Sequence, residues 1–233
     1  MDSNAVNAEI KRFIWPVLYA AGFDQFSART AWRHHRNRID VLNFQSFNSY
    51  DARVIGCTTY SFAVNLGCFF KSISPDYEPH RIKVKAGQLL PREAECHFRR
   101  RLSRTFKQAE LKGRDIWYID PRGRYLERAI RDVRSLVSRK ALPWFDNFAA
   151  RDYALGVLLN AEQSMSELWG FGGKGSPARH YFTGYLALEA GRWTLARRHL
   201  NLAIASNSFT AVERRLLAAL KRASTTIHRT NLN

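Results

Sequence analysis

The sequence predicts an α+β fold: an N-terminal helix packed on an antiparallel sheet of about four or five strands, followed by a helical C-terminal bundle. Three observations support this class. Apolar residues near the N-terminus recur with the period of a helix, those of the following segment alternate with the period of a strand, and the last third of the chain returns to the helical period. With 45% apolar and 13% aromatic residues the chain can bury a sizeable core, which excludes wholesale disorder.

The first helix is predicted from Asn4 to Ala21. Its apolar residues fall three and four positions apart, beginning at Val6, so they form one face of a helix. Gly22 follows the last of them, and glycine commonly ends a helix.

Strands are predicted over Thr30 to His35, Ile39 to Phe47 and Thr58 to Phe69, where β-branched and aromatic residues follow a period of two. The connection from Asn48 to Cys57 is polar and contains Gly56. Antiparallel pairing of the flanking strands therefore needs no helical crossover.

The segment from residue 71 to 92 holds three of the seven prolines and is predicted to be a long surface excursion. Residues 93–109 are predicted to form a strand and then a helix, because Phe98 belongs both to an alternating pattern and to a helical one. A short aromatic strand is predicted over Asp115 to Ile119.

Helices are predicted for the rest of the chain. The stretch from Arg124 to Lys140 places apolar residues on one face and arginines on much of the other. Further helices are predicted over Tyr153 to Leu168, Arg179 to Ala190, Trp193 to Ala205 and Ala211 to Ser224. We therefore expect an α+β sheet domain over residues 1–140 and a helical bundle over residues 141–233, packed together as one unit.

The positive charge is concentrated in the middle of the chain. The net charge of +17 divides into +1 over residues 1–80, +11 over 81–140 and +5 over 141–233. Such an excess attracts nucleic acid, anionic lipid or an acidic protein. The residues expected to form a basic binding surface are Arg99, Arg100, Arg101, Arg104, Lys107, Arg124, Arg128 and Arg131. The alternative is an ordinary solvated face, in which Glu127 pairs with Arg131 and Arg128 with Asp132.

Three amide side chains are predicted to share one face of the sheet. If Leu42 and Phe44 face the core, then Asn43 and Gln45 project from the other side, and Asn65 does so on the partner strand. Amides in such a row can bind a peptide edge or a base edge by hydrogen bonds. They can equally hold neighbouring loops in place.

No pattern in the sequence predicts a reaction centre, a cofactor site or a metal site. Gly170, Gly172 and Gly175 match the letters of a dinucleotide-binding fingerprint, but no strand precedes them, so we interpret them as a helix connection. The seven histidines lack the spacing of metal ligands.

The cysteines indicate a reduced protein. Cys57, Cys68 and Cys96 are odd in number and contain no close pair, which argues against a disulfide framework and a zinc knuckle. Cys96 precedes His97, and an enzyme that uses either residue beside the amide face is the third alternative for function. Neighbouring residues of a strand point to opposite faces, so core packing of Cys96 is the simpler interpretation.

The chain is expected to be cytoplasmic. No stretch reaches the roughly 20 apolar residues that cross a bilayer. The longest candidate, Phe13 to Phe23, contains Pro16, and the acidic residues Asp2 and Glu9 before it favour an amphipathic helix over a signal peptide.

Two parts of the chain resemble known families. The segments Asn43-Phe44-Gln45-Ser46 and Phe62-Ala63-Val64-Asn65-Leu66-Gly67, with Cys96, Arg101-Leu102 and Trp117, resemble the domain-of-unknown-function 4304 family of mostly bacterial proteins over about residues 6–160. The resemblance implies no catalytic residues. Near the C-terminus, Gly184, Gly191, Trp193, Ala196, Leu200 and Ala203 resemble a single tetratricopeptide-like helical hairpin, too few repeats for a peptide-binding superhelix.

The leading hypothesis is a non-enzymatic interaction module that presents its basic surface to an acidic protein partner. The first alternative is a nucleic-acid-binding protein that uses the arginine-rich segment 81–140. In it, phosphates are contacted by Arg99, Arg100, Arg101, Arg104 and Lys107, and aromatic residues such as Trp32 or Trp117 stack on bases. Another is a toxin-immunity protein. An immunity protein that restrains a nuclease toxin needs an acidic surface, so the net charge of +17 counts against that role.

Overall fold

The computed structural model describes Met1 and residues 3–73, 82–160, 173 and 175–230. The chain forms two compact units. The first, here called the sheet unit, comprises Met1–Cys68 and Arg92–Asp146; the second, the helical unit, comprises Phe69–Pro91 and Asn147–Asn233. The domain boundary predicted after residue 140 stays a prediction.

The chain begins with two consecutive helices, α1 (Ser3–Phe13) and α2 (Trp15–Ala20), where one helix is predicted. The interruption at Ile14 has a simple cause, because Pro16 has no N–H to continue the helical hydrogen bonds. The apolar stripe still runs across the break, since Val6, Ile10, Ile14 and Leu18 are all completely buried.

The predicted α+β class is confirmed by a five-stranded antiparallel sheet that follows these helices. Its strands are β1 (Gln25–Phe26), β2 (Thr30–His34), β3 (Arg38–Ser46), β4 (Phe62–Phe70) and β7 (Phe98–Arg101), and they lie side by side in that order. Every residue of β4 is buried, which places this strand at the centre of the packing.

A short helix lies in the connection between β3 and β4. This helix, α3 (Ser49–Ile55), begins where the side chain of Asn48 accepts a hydrogen bond of 2.8 Å from the backbone N–H of Asp51, and it ends at Gly56, whose φ is +81°. Asparagine at the N-cap and glycine in the left-handed conformation are common helix boundaries.

The segment predicted as a long surface excursion contains a two-stranded hairpin, β5 (Lys83–Lys85) and β6 (Gln88–Leu90). Ala86 and Gly87 join the strands with φ of +49° and +76°, as the tight turns of hairpins require. In the sequence, the alternation of Lys83, Val84 and Lys85 is the pattern that could have indicated the first strand of this hairpin. The part of the excursion over residues 74–81 lies outside the described residues.

The helix predicted after β7 does not form. Residues 93–95 make a single 3-10 turn, β7 follows, and residues 102–114 take an irregular path. The side chains of Arg104 and Gln108 bind main-chain groups along this path, so they stabilise it in place of helical hydrogen bonds. Of the strand predicted over Asp115 to Ile119, Trp117 pairs with Phe62 in a single β-bridge.

The basic stretch forms α4 (Leu126–Leu136), which continues through a wider π-type turn at Val137–Ala141 into α5 (Leu142–Asn147). Ala129, Ile130, Val133 and Leu136 are the buried face of α4, and this helix packs against α1. The predicted amphipathic helix is therefore present within slightly different bounds.

The helical unit contains α6 (Arg151–Leu159), α7 (Pro177–Glu189), α8 (Trp193–Ala205) and α9 (Glu213–Thr230), with a 3-10 turn at Thr210–Val212. The predicted continuation of the first of these helices to residue 168 falls outside the described residues. The tetratricopeptide-like character of α7 and α8 stays a prediction. Among the described residues, no helix has both the length and the apolar composition that crossing a membrane requires.

Candidate functional site

Of the three amide side chains predicted to share one face of the sheet, two are bonded to each other. The Nδ2 atom of Asn65 donates to Oε1 of Gln45 at 3.0 Å, and Nδ2 of Asn43 donates to Oγ1 of Thr30 at 2.9 Å. Gln45 and Asn65 thus lie together as predicted. Asn43 is held by the neighbouring strand β2.

Arg101 joins this amide face to an acidic residue. Lying opposite Asn65 on β7, Arg101 donates to Oδ1 of Asn65 at 2.8 Å and to Oε1 of Gln45 at 2.9 Å. Its remaining terminal nitrogen contacts Asp115 at 3.0 Å. The guanidinium therefore has an acceptor at each of its nitrogens, and Arg101, Asn65 and Gln45 are bonded to one another.

Two further arginines of the predicted basic segment are also occupied. Arg99 forms a two-point ion pair with Glu93, with nitrogen to oxygen distances of 2.7 and 3.3 Å. Arg104 is 2% exposed, and its guanidinium donates to the carbonyl oxygens of Phe106, Leu111, Gly113 and Ile116. Burial lowers the pKa of Arg104. Arg104 therefore holds the loop after β7 together and lies inside the protein, which corrects its predicted place on a surface.

The loop after β7 is fastened directly to α4. Asp132 on α4 accepts hydrogen bonds from the backbone of Thr105 at 3.1 Å and from Nε1 of Trp117 at 2.9 Å. The guanidinium of Arg128 lies 4.2 Å from the centre of the Phe106 ring, a cation–π contact. Asp132 is therefore bonded to the loop, and the predicted pair of Arg128 with Asp132 is replaced by these contacts.

These contacts bring cationic residues of two separate segments onto adjoining surfaces. The loop contributes exposed Lys107, Lys112 and Arg114. Arg128, Arg131 and Arg134 are exposed cations of α4, and exposed Arg124 lies two residues before this helix begins. Arg131 and Arg134 line a pocket together with Glu9 and Phe13 of α1. We call this set the basic surface: Lys107, Lys112, Arg114, Arg124, Arg128, Arg131 and Arg134.

Carboxylates lie among the cations of the basic surface, including exposed Glu110 of the loop, which accepts a hydrogen bond of 3.0 Å from the hydroxyl of Tyr125. Arg131 forms the predicted ion pair with Glu127, and both side chains are at least 75% exposed. Arg124 lies 3.4 Å from Asp120. The side chain of Asp120 is only 5% exposed. The pair of Arg131 with Glu127 is exposed on both sides and therefore weak, so a stronger acidic partner can compete with it. Arg100 on β7 is also exposed, but it lies outside this set.

The tryptophans predicted to stack on bases are not available for that contact. Trp117 is completely buried and stacks on Phe62 with ring centres 5.8 Å apart, and Trp32 is only 9% exposed. The prediction that either ring stacks on nucleic acid is therefore wrong for the described conformation.

Cys96 and His97 both lie in the interior. Cys96 is completely buried, and burial together with the charge of Glu93 raises the pKa of its thiol well above the ordinary value. A thiol with a raised pKa stays protonated and is a poor nucleophile. Burial lowers the pKa of His97 to about 3. Within the described residues, no group of three or more His, Cys, Asp and Glu side chains has the arrangement of a metal site.

A buried ionic cluster around Asp40 is the main feature that the sequence analysis missed. Asp40 is completely buried and accepts bonds from Arg33 at 2.8 Å and Arg38 at 2.9 Å, with Nε2 of His35 at 2.8 Å. Burial alone would raise the pKa of Asp40, but the hydrogen bond with His35 and the charges of Arg38 and Arg33 outweigh it and lower that pKa. The paired register of Arg33 with Asp40 across the β2–β3 hairpin was the signal that could have revealed the cluster.

Of the predicted glycine fingerprint, Gly170 and Gly172 lie outside the described residues. Gly175 has a φ of +92° and precedes Ser176, the N-cap of α7. This position agrees with our interpretation of a connection that leads into a helix.

Comparison with known proteins yields one family. No curated protein and no solved structure matches the chain significantly. The family model for a domain of unknown function, DUF4304, matches residues 14–147, more than half of the chain. The match includes the sheet, the amide face and all of the basic surface. The chain therefore belongs to the DUF4304 family.

Proposed function

We propose that the sheet unit is a non-enzymatic binding module whose basic surface docks an acidic protein partner. The observation that carries this proposal is the fastening of the loop to α4 through Asp132, Trp117 and Phe106. These contacts hold the loop against α4, and the two segments together carry the seven exposed cations of the basic surface. A preformed cationic surface accelerates and orients the docking of an acidic partner.

A protein partner fits the basic surface better than single-stranded nucleic acid does. Binding of single strands depends on aromatic rings that stack on bases, and the two tryptophans considered for this role are buried. Binding through phosphates alone remains an outcome of the experiment below. Immunity to a nuclease toxin is disfavoured by the sign of the charge.

We place this function in the cytoplasm. All three cysteines are free, with Cys68 and Cys96 buried and Cys57 half-buried, and unpaired thiols suit a reducing compartment.

A pull-down from bacterial lysate tests the proposal. The full chain serves as bait at about 50 and 200 mM salt, with and without nuclease treatment, because salt weakens electrostatic docking over this range. We expect the bait to retain acidic proteins after nuclease treatment and to lose them at the higher salt. If the bait recovers only nucleic acid, and nothing is retained after nuclease treatment, the partner is nucleic acid and the proposal of an acidic protein partner is wrong.

Two charge-reversed variants sharpen the pull-down. The test variant replaces Lys107, Arg114 and Arg134 by Glu, and the matched control replaces the exposed residues Lys11, Arg36 and Arg53 by Glu. Both variants change the net charge by the same amount. Loss of the partner from the test variant alone supports the basic surface as the docking site, whereas equal loss from both would show attraction by net charge without a defined site.

A further inference from the structure

A cavity of about 490 Å³ in the helical unit carries an independent inference. Its apolar lining includes Leu159 and Leu202. Among the described residues its polar lining consists of side chains from α7 and α8, namely Arg179, His180, Thr183, Arg198 and His199. A volume of this order accommodates a small organic molecule. No acidic side chain occurs among the described lining residues, so the polar part of the cavity is cationic.

Arg179 is the residue that points to a ligand. It is 3% exposed, and its Nε donates to the carbonyl oxygen of Leu158 at 2.6 Å. Its two terminal nitrogens are buried and have no hydrogen-bond partner among the described residues. A buried guanidinium with unpaired N–H groups is costly to the fold. Two oxygens of one phosphate or carboxylate group would satisfy these donors together.

The two histidines add a second polar wall. Their Nδ1 atoms lie 3.0 Å apart, so one ring donates a hydrogen bond to the other. Burial, followed by the charges of His180, Arg198 and Arg179, lowers the pKa of His199 to about 4. When one neutral ring donates through Nδ1, the accepting ring carries its proton on Nε2. The pair thus offers an N–H donor without adding a charge.

The start of α7 also favours an anion. Arg179 and His180 occupy the first turn of this helix, whose N-cap Ser176 accepts from the backbone N–H of Arg179 at 3.3 Å. The N-terminal end of a helix of this length carries a partial positive charge. The helix end, the unpaired guanidinium and the exposed side chain of Arg198 therefore all favour the same sign of ligand.

The apolar side of the cavity defines the rest of the ligand. Leu159 and Leu202 are each 41% exposed, and both contribute apolar surface to the cavity. We propose that this cavity binds a small organic anion, with a phosphate or carboxylate head at Arg179 and an apolar body against Leu159 and Leu202. The site belongs to the helical unit and does not depend on the function proposed for the sheet unit.

Isothermal titration calorimetry on the full chain tests this site with defined probes. The probes are n-butyl phosphate, pentanoate, inorganic phosphate and n-butylammonium. We expect one of the two organic anions to bind, inorganic phosphate to bind about tenfold more weakly because it lacks the apolar body, and n-butylammonium not to bind. The stronger of the two organic anions identifies the head group. Failure of both to bind would overturn the proposal.

Three variants locate the binding. Arg179→Gln and Arg198→Gln are each expected to weaken the preferred anion about tenfold or more, as the loss of a charge-assisted hydrogen bond predicts. Arg197→Gln, which removes an exposed cation that does not line the cavity, is the control and should bind normally. Since Arg198 is exposed, its variant remains informative if Arg179→Gln does not fold. Equal affinity in all three variants would rule out this cavity as the site.

Discussion

At the residue scale, Asp40 shows how one buried carboxylate organises the sheet unit. It holds Arg33, Arg38 and His35 in a single cluster, and Arg33 also contacts Asp146 at 2.9 Å. The two acidic partners of Arg33 differ sharply, because the side chain of Asp40 is 0% exposed and that of Asp146 is 63% exposed. When one member of a buried ion pair is removed, the other charge stays buried without a partner, and the folded state is destabilised.

Asp40→Asn is expected to destabilise the sheet unit by about 3–5 kcal/mol, because it removes the buried negative charge that faces Arg33 and Arg38. Asp146→Asn is the matched control, and its expected cost is about 0–1 kcal/mol because an exposed pair is screened by solvent. Urea unfolding followed by tryptophan fluorescence measures both values. Similar losses of stability in the two variants would contradict the structural role of the cluster.

The buried imidazole of His97 predicts sensitivity to acid. The folded protein keeps this ring neutral, since burial lowers its pKa to about 3, whereas the unfolded chain binds a proton below about pH 6.5. The unfolded state therefore holds more protons between these two values, so the free energy of unfolding falls as the pH drops from 6.5 towards 3.

The expected loss of stability from this group is roughly 3 kcal/mol between pH 6.5 and 3.5. Urea unfolding at a series of pH values measures it, and His97→Gln should flatten the pH dependence because the group that titrates is gone. Asp40, with its lowered pKa, adds a further loss below about pH 3.8, where the unfolded carboxylate becomes protonated. An unchanged profile in His97→Gln would show that other groups control the acid response.

At the element scale, two glycines mark different kinds of helix environment. A Cβ atom on Gly184 of α7 would lie 2.7 Å from Cδ2 and 3.2 Å from the backbone nitrogen of Leu200 on α8. These helices therefore approach each other closely at Gly184. A Cβ atom on Gly156 of α6 would meet nothing within 4 Å.

Gly184→Ala is expected to cost about 1–3 kcal/mol, because the added methyl forces α7 and α8 apart. Gly156→Ala is expected to stabilise by about 0.5–1 kcal/mol, because alanine loses less conformational freedom in a helix than glycine does. Thermal unfolding of the two variants should therefore shift in opposite directions. If Gly184→Ala were as stable as the wild type, the close approach would not exist.

The sequence predicts elements best where one face is buried. The strands from β2 to β4 follow from alternation, and the neighbouring positions of Gln45 and Asn65 follow from the sheet period of two. The loop after β7 was predicted as a helix, because its stabilising bonds come from Arg104 and Gln108 to carbonyl and amide groups distant along the chain. The contact of His180 with His199 depends on the register of two helices, which no local pattern specifies.

At the scale of the whole molecule, the arginines serve two purposes. Five arginines are bonded inside or at the edge of the sheet unit, namely Arg33, Arg38, Arg99, Arg101 and Arg104. The number of basic residues in the sequence is therefore larger than the number of cations that a partner can contact. The structure distinguishes these from the exposed cations of the loop and α4. Composition alone cannot make this distinction, because it depends on which carboxylates and carbonyl groups the fold places beside each guanidinium.

The most direct test of the basic surface is the affinity for a defined acidic polypeptide. Fluorescence anisotropy of a labelled polyglutamate peptide measures this affinity for the wild type and the two charge-reversed variants at about 50 mM salt, where screening is weak. Unlabelled duplex and single-stranded oligonucleotides are then added as competitors of the peptide. Our account predicts that the affinity for the peptide falls about tenfold or more in the variant at Lys107, Arg114 and Arg134. The affinity of the control variant at Lys11, Arg36 and Arg53 should stay within about threefold of the wild-type value. The oligonucleotides should compete weakly with the peptide. Equal losses in both variants, or complete displacement of the peptide by oligonucleotide, would contradict it.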